Sequence, residues 1–234
     1  MSQDDTNEPA VPAATVVLLR DTADGVETLM LRRDTQLAFA GGAWVFPGGR
    51  IDAEDFPEGT DASDPDAVYQ AARNAAAREA MEEAGLRVDP EGFVWFAHWT
   101  PPTGSGTQRR FATWFFAARA PSGDVVVDDG EIRDHQWIRP ADALRRRDAG
   151  EVLIIPPTWI TLNTLAHAGS VDDLLARMAE GEPDVYVTRM GRLDGVMVSM
   201  WAGDAGYDDG DAERLGSRHR LIMSEDGWRF ERNE

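Results

Sequence analysis

A chain of 234 residues with 42% apolar content is long enough to bury one full core and an extension beside it. Its 42 acidic residues against 23 basic ones give a net charge of −19, which argues against nucleic acid as a partner, because that attraction depends on cationic side chains releasing counterions. The absence of cysteine excludes disulfides, thiolate catalysis and cysteine-ligated zinc. No apolar run approaches the roughly eighteen residues of a membrane span, the first residues are acidic, and a cytoplasmic location is expected. Every basic residue is Arg, so phosphate recognition falls to guanidinium groups.

In chain order, residues 1–12 read as a flexible tail, rich in Pro, Asp and Asn. Two strands follow, Ala14 to Leu19 and Thr28 to Leu31, around the turn Asp24-Gly25, with Arg32 and Arg33 closing the second. Trp44-Val45-Phe46 is an apolar, strand-like run ending in Pro47-Gly48-Gly49, where glycine permits positive φ and close approach of the backbone to a ligand. The Pro, Gly, Asp and Ser content of residues 54–65 reads as a surface loop. A helix then begins with Asp64 as N-cap and Pro65 at N1, runs through an Ala-rich segment and stops at Gly85.

Further strands are expected at Phe93 to Trp99, Arg110 to Ala118, Val125 to Val127 and Asp134 to Ile138. The prolines of Ile155-Pro156-Pro157 start one helix, and Ser170 caps a second whose stripe of Val171, Leu174, Leu175 and Met178 is apolar. From Val185 onward, short apolar runs such as Val196 to Val198 and Leu221 to Met223 alternate with Gly and Asp turns and read as β-rich. Strands on both sides of a central helix, without strict alternation, predict an α/β fold with a mixed sheet.

The chemistry concentrates at the end of the first helix, in Arg78-Glu79-Ala80-Met81-Glu82-Glu83-Ala84-Gly85. At 100° per residue Glu79, Glu82 and Glu83 share one arc, and Ala77, Met81 and Ala84 are expected to pack into the core from the opposite one. The acidic pairs are like charges at i,i+3 and i,i+4 near the negative end of the helix dipole. Arg78 offsets one charge; the rest call for a cation, and clustered carboxylate oxygens suit hard ions such as Mg²⁺ or Mn²⁺. An ordinary solvated charge run is the competing reading of these residues taken alone.

Pro-Gly-Gly followed by Arg-Glu-x-x-Glu-Glu-x-Gly-Leu resembles the signature of the Nudix hydrolase superfamily. The resemblance implies a Nudix α/β/α sandwich over residues 13–149, a C-terminal helical and β-rich extension over 150–234 packed on it, and hydrolysis of a diphosphate in a nucleoside diphosphate derivative. It implies Mg²⁺ or Mn²⁺ held by Glu82 and Glu83, with the Gly48 carbonyl as a further ligand and Glu79 as ligand or base, and Arg78 orienting a Glu. The stretch between Gly49 and Arg78 is fifteen residues longer than the family pattern. Counting therefore places the first Glu of that pattern at Asp55 from one side and at Gln70 from the other, and settles on neither. Glu131 lies where the superfamily often supplies another carboxylate; an ordinary loop charge reads equally well.

The long insertion, Arg109-Arg110-Phe111 and Pro156-Pro157-Thr158 resemble the branch that includes the peroxisomal CoA diphosphatases, although Ala112 stands where that branch has a carboxylate. CoA or an acyl-CoA is accordingly the favoured substrate, with ADP-ribose or NADH next and a non-catalytic nucleotide sensor as the reading from another class. Arg50, Arg109 and Arg110 are candidates to hold the phosphates of a small nucleotide-like substrate. No nucleic acid or membrane partner is expected, and a homodimer stays open.

Overall fold

The computed structural model describes residues 9–36, 40–103, 110–127 and 130–233. By contacts the chain divides into two units: a larger one of residues 12–98 and 113–184, and a smaller one of residues 1–11, 99–112 and 185–234.

The larger unit is an α/β fold with a large mixed sheet. Its strands are β1 (Val11–Thr22), β2 (Gly25–Arg33), β3 (Trp44–Val45), β4 (Gly48–Arg50), β5 (Val94–Thr100), β6 (Phe111–Arg119) and β7 (Ile132–Ile138). With β8 (Asp184–Val187) they follow the order β3-β2-β1-β6-β5-β8, while β4 pairs with β1 and β7 with β2. β1 is buried without interruption from Ala13 to Leu19, as expected of a strand covered on both faces. One face, through Ala14, Val16, Leu18, Leu29 and Leu31, packs on helix α1 (Pro65–Ala84). Helix α2 (Pro140–Asp148) packs against β2 and against helix α3 (Pro156–Leu165); α4 (Val171–Glu180) follows. No helix among the described residues is long and apolar enough to cross a membrane.

α1 starts and stops where its sequence says. The Asp64 side chain accepts the Asp66 N–H at 3.0 Å, Pro65 occupies the first turn, and Gly85 has φ +66°. Its packed face is Ala72, Ala75, Ala76, Ala80 and Ala84 with Ala77 partly buried beside them, so Ala77 and Ala84 pack as expected and Met81 does not. Met81 is 46% exposed, whereas Glu83 is 5% exposed and lies at the edge of the buried stripe. The alanines bring the helix axis close to the sheet, and that proximity carries Glu79 and Glu83 against the glycine turn.

Two other expectations change. Val125 to Val127 is not a strand: Val126 donates its N–H to the Ala84 carbonyl at 2.9 Å, so this segment satisfies the end of α1 instead of a sheet edge. The loop of residues 54–65 is exposed from Glu58 onward, but its first residues form a short 3₁₀ turn, Ala53–Asp55, whose last side chain is buried.

The smaller unit contains an antiparallel sheet ordered β12-β11-β10-β9, formed by β9 (Arg189–Leu193), β10 (Val196–Met200), β11 (Arg218–Ser224) and β12 (Gly227–Asn233). Val198, Met200, Ala212 and Ile222 form its core. A buried ion pair fixes the connection from β10 to β11: Arg220 donates through Nε and Nη2 to Asp204, both at 2.6 Å, and through Nη1 to the Ala212 carbonyl at 2.6 Å.

Candidate metal centre

The site is built where α1, the glycine turn, the 3₁₀ turn and the end of β2 meet within the larger unit. The Thr15 hydroxyl donates to the Pro47 carbonyl at 2.5 Å and fixes the turn, after which β4 pairs with β1 through Thr15–Gly48 and Ala14–Gly49. Both glycines make close approaches, Gly48 to backbone and Gly49 to the end of a side chain. A Cβ at Gly48 would lie 2.6 Å from the Ala14 carbonyl oxygen, and one at Gly49 would lie 2.2 Å from Oε1 of Glu79. Of the two reasons the sequence offered for these glycines, positive φ and close approach, the structure shows close approach, here to protein atoms, and neither glycine has positive φ.

Arg78 organises the carboxylates. Its Nε and Nη2 each donate to the buried Asp55 carboxylate at 3.0 Å, and Nη2 also donates to the Arg50 carbonyl at 3.0 Å. Nη1 reaches Glu79 at 2.9 Å and Glu82 at 3.0 Å. A planar guanidinium clamped bidentately on one side presents its remaining donors in a fixed direction on the other. Its proton is bound more tightly than in a free arginine, first because of the hydrogen bond to Asp55.

Asp55 is the acidic residue that counting along the chain left unassigned. It stands where counting forward from Gly49 had put it, and it also accepts the Asp52 N–H at 2.8 Å. Gln70, the other position reached by counting, is engaged with Asn74 on α1 instead. The signal was therefore present, but an insertion of unknown placement hid which count to follow.

Glu83 accepts the Gly48 N–H at 3.0 Å and sits 3.9 Å from Arg33. Burial pushes its carboxyl up to about 8, with the neighbouring charges of Glu79 and Glu131 adding to the effect and the Gly48 N–H opposing it. Glu79 is raised as well, again chiefly by burial, against the pull of Arg78. Removal from water is thus the leading cause, ahead of the crowding that helix geometry alone suggests.

Glu131 joins the group from the loop before β7, 3.3 Å from Nη2 of Arg33. The charges of Glu82 and Glu131 bear on Glu79, and those of Glu79 and Glu131 bear on Glu83. From the sequence, Arg33 has no role beyond closing a strand beside Arg32, which is exposed and 4.0 Å from Asp134.

The donor set is all carboxylate oxygen, which suits a hard divalent cation. Among the described residues no three carboxylate or histidine groups already converge on one point, because Glu79 and Glu82 turn to Arg78 while Glu83 turns to Gly48. The Gly48 carbonyl belongs to the same turn. The substrate candidates are placed differently: the Arg50 guanidinium pairs with Asp52 at 3.3 Å, and Arg110, in the smaller unit, donates to the Pro101 carbonyl at 3.3 Å. Arg109 lies outside the described residues.

Comparison with known proteins bears on the family and the fold. The family model described as the NUDIX domain matches residues 9–155. The human acyl-coenzyme A diphosphatase NUDT19 is 27% identical, across 81% of this chain and 74% of its own length. The Xenopus laevis protein of the same description is 23% identical, across 85% and 75%. Among solved structures, a NUDIX hydrolase from Alicyclobacillus acidocaldarius superposes with a TM-score of 0.64 at 22% identity, covering 74% of this chain and 99% of that one.

Proposed function

The chain belongs to the Nudix family and is a pyrophosphohydrolase, and on that premise we propose that it cleaves the diphosphate of CoA or an acyl-CoA with the help of Mg²⁺ or Mn²⁺. The observation that carries the metal-dependent reading is the Asp55–Arg78 clamp, which holds Glu79 and Glu82 beside the buried Glu83 at the glycine turn. A divalent ion would be held by Glu79, Glu82, Glu83 and Glu131 with the Gly48 carbonyl, and would neutralise phosphoryl oxygens and acidify water.

The protein's own contributions follow from the contacts. Arg78 fixes the directions of Glu79 and Glu82, so that neither carboxylate must be ordered when substrate arrives. The Gly48 N–H stabilises the ionised form of Glu83 against a burial that favours its protonated form. Glu79, held by Arg78 against the glycine turn, is proposed as either a ligand of the ion or the group that takes the proton from attacking water.

The substrate is supported by the relatives: both NUDT19 proteins are described as acyl-coenzyme A diphosphatases and align over most of this chain. Arg50, Arg109 and Arg110 are the guanidinium groups proposed for its phosphates. A panel of CoA, acyl-CoA, ADP-ribose and NADH with Mg²⁺ or Mn²⁺, read by product mass, tests this. CoA should yield 3′,5′-ADP and 4′-phosphopantetheine. Turnover of ADP-ribose or NADH with none of CoA would move the substrate and leave the diphosphatase reading standing, whereas binding without any turnover would identify a sensor.

A further inference from the structure

Two arginines enter this site, and the structure holds them in different ways. Arg78 is locked, with two donors at 3.0 Å on one buried carboxylate. Arg33 is not. The pairing of β2 with β7 slips between Arg32 and Arg33, with Arg133 as the extra residue on β7, while along β2 successive side chains point to opposite faces. Arg32 faces outward, while the Arg33 side chain turns in and is 17% exposed. Its Nη2 lies 3.3 Å from Glu131 and its Nη1 3.9 Å from Glu83, the second beyond hydrogen-bonding reach. Its Nε is buried and has no hydrogen-bond partner among the described residues.

The neighbouring main chain keeps Arg33 at this place. Its N–H donates to the Ala43 carbonyl at 3.0 Å, its carbonyl accepts the Gly42 N–H at 3.1 Å, and the Asp34 N–H donates to the Glu131 carbonyl at 2.8 Å. A rigid strand end thus delivers a cation that donates one long hydrogen bond to Glu131, at 3.3 Å, and stands 3.9 Å from Glu83 without a hydrogen bond to it. Burying a guanidinium with one donor unused costs free energy, so its persistence here needs a reason beyond packing.

We propose that Arg33 is the exchangeable counter-charge of the carboxylate cluster: it balances Glu83 and Glu131 while no divalent cation is present and yields them when one binds. The inference rests on the reading of this site as a metal-dependent diphosphatase centre. Its consequence is that Arg33 holds cation affinity down, because a fixed positive charge beside the ligands opposes an incoming one. A merely structural arginine would act in the opposite direction, since losing it would loosen the site and weaken binding.

The test is calorimetric titration of the full chain with Mn²⁺ alone at pH 8, for the wild type, Arg33→Met and Arg33→Lys. Arg33→Met should bind Mn²⁺ about tenfold more tightly, from removal of one close positive charge; Arg33→Lys should restore the wild-type value. Unchanged or weaker binding by Arg33→Met would overturn the inference, and if the wild type binds Mn²⁺ and hydrolyses substrate the proposed function survives that result. A wild type that binds no Mn²⁺ would overturn both. Should Arg33→Met fail to fold, the wild type suffices: the Arg33 Nε–Hε NMR resonance, assigned by its loss in Arg33→Lys, should shift in step with Mg²⁺ saturation. A resonance that does not move sinks the proposal.

Discussion

Replacing Asp55 by Ala isolates the clamp from the carboxylates it serves. The change removes two charge-assisted hydrogen bonds to Arg78, both 3.0 Å, and one from the Asp52 N–H at 2.8 Å. Breaking one side of a buried ion pair costs about 3–5 kcal/mol, because the remaining charge is left uncompensated. Here Arg78 is about a quarter exposed and keeps Glu79, Glu82 and the Arg50 carbonyl as partners, which places the expected loss lower, about 2–3 kcal/mol. Urea unfolding of the metal-free protein reads this directly. A double-mutant cycle with Arg78→Met should give a coupling energy of about 1.5 kcal/mol or more. Activity should fall further than stability, since Arg78 without its anchor no longer sets the directions of Glu79 and Glu82. Coupling within about 0.5 kcal/mol of zero would refute the claim that Asp55 holds Arg78.

The raised Glu83 carboxyl gives the metal-free protein a pH signature. Between its unfolded value of roughly 4.3 and the folded value of about 8, the native state binds more protons than the unfolded one, so stability should fall as pH rises through that window. Glu83→Gln should flatten the slope; a stability unchanged across the window in the wild type counts against the burial assigned to this group. Gly49→Ala should leave the chain folded, because the obstructing atoms are the end of the Glu79 side chain, yet cut turnover by displacing that carboxylate; normal kcat would show that the close approach is not needed. Trimming Glu58 to Ser63, all exposed, should change the unfolding midpoint little, since loop closure depends weakly on length, and should alter KM more than the metal requirement. Identical KM values for several substrates would mark the loop as a spacer.

What was legible in the sequence was local. Asp64, Pro65 and Gly85 fix the limits of α1 through groups no more than five residues away, and the structure keeps them. The long apolar run of β1 and the strands after the helix were legible for the same reason. The buried face of α1 was not. Alanine is compatible with either side of a helix, and hydrophobicity alone places Met81 inward, whereas it is 46% exposed. α2 gave no apolar signal, because its last turn is Arg145, Arg146 and Arg147 and it buries only Pro140 and Ala143. Val125 to Val127 had strand composition, but the free carbonyl at the end of α1 claimed its backbone.

At the site, the acidic triplet and the glycine turn could be read from spacing, whereas Asp55 and Arg33 could not. Asp55 depends on how an insertion is threaded, and Arg33 on which face of β2 looks toward the carboxylates, which two adjacent arginines at a strand end do not reveal.

The central claim is that the carboxylates of α1 carry out metal-dependent diphosphate hydrolysis. Steady-state turnover of CoA with Mg²⁺ should be measured for the wild type, Glu82→Gln and Glu83→Gln, each checked for folding by urea unfolding. The account predicts that both variants fold and that each loses turnover by about a hundredfold or more, as expected when a ligand or positioned group acting on the transition state is removed. Near-normal turnover in both would contradict it.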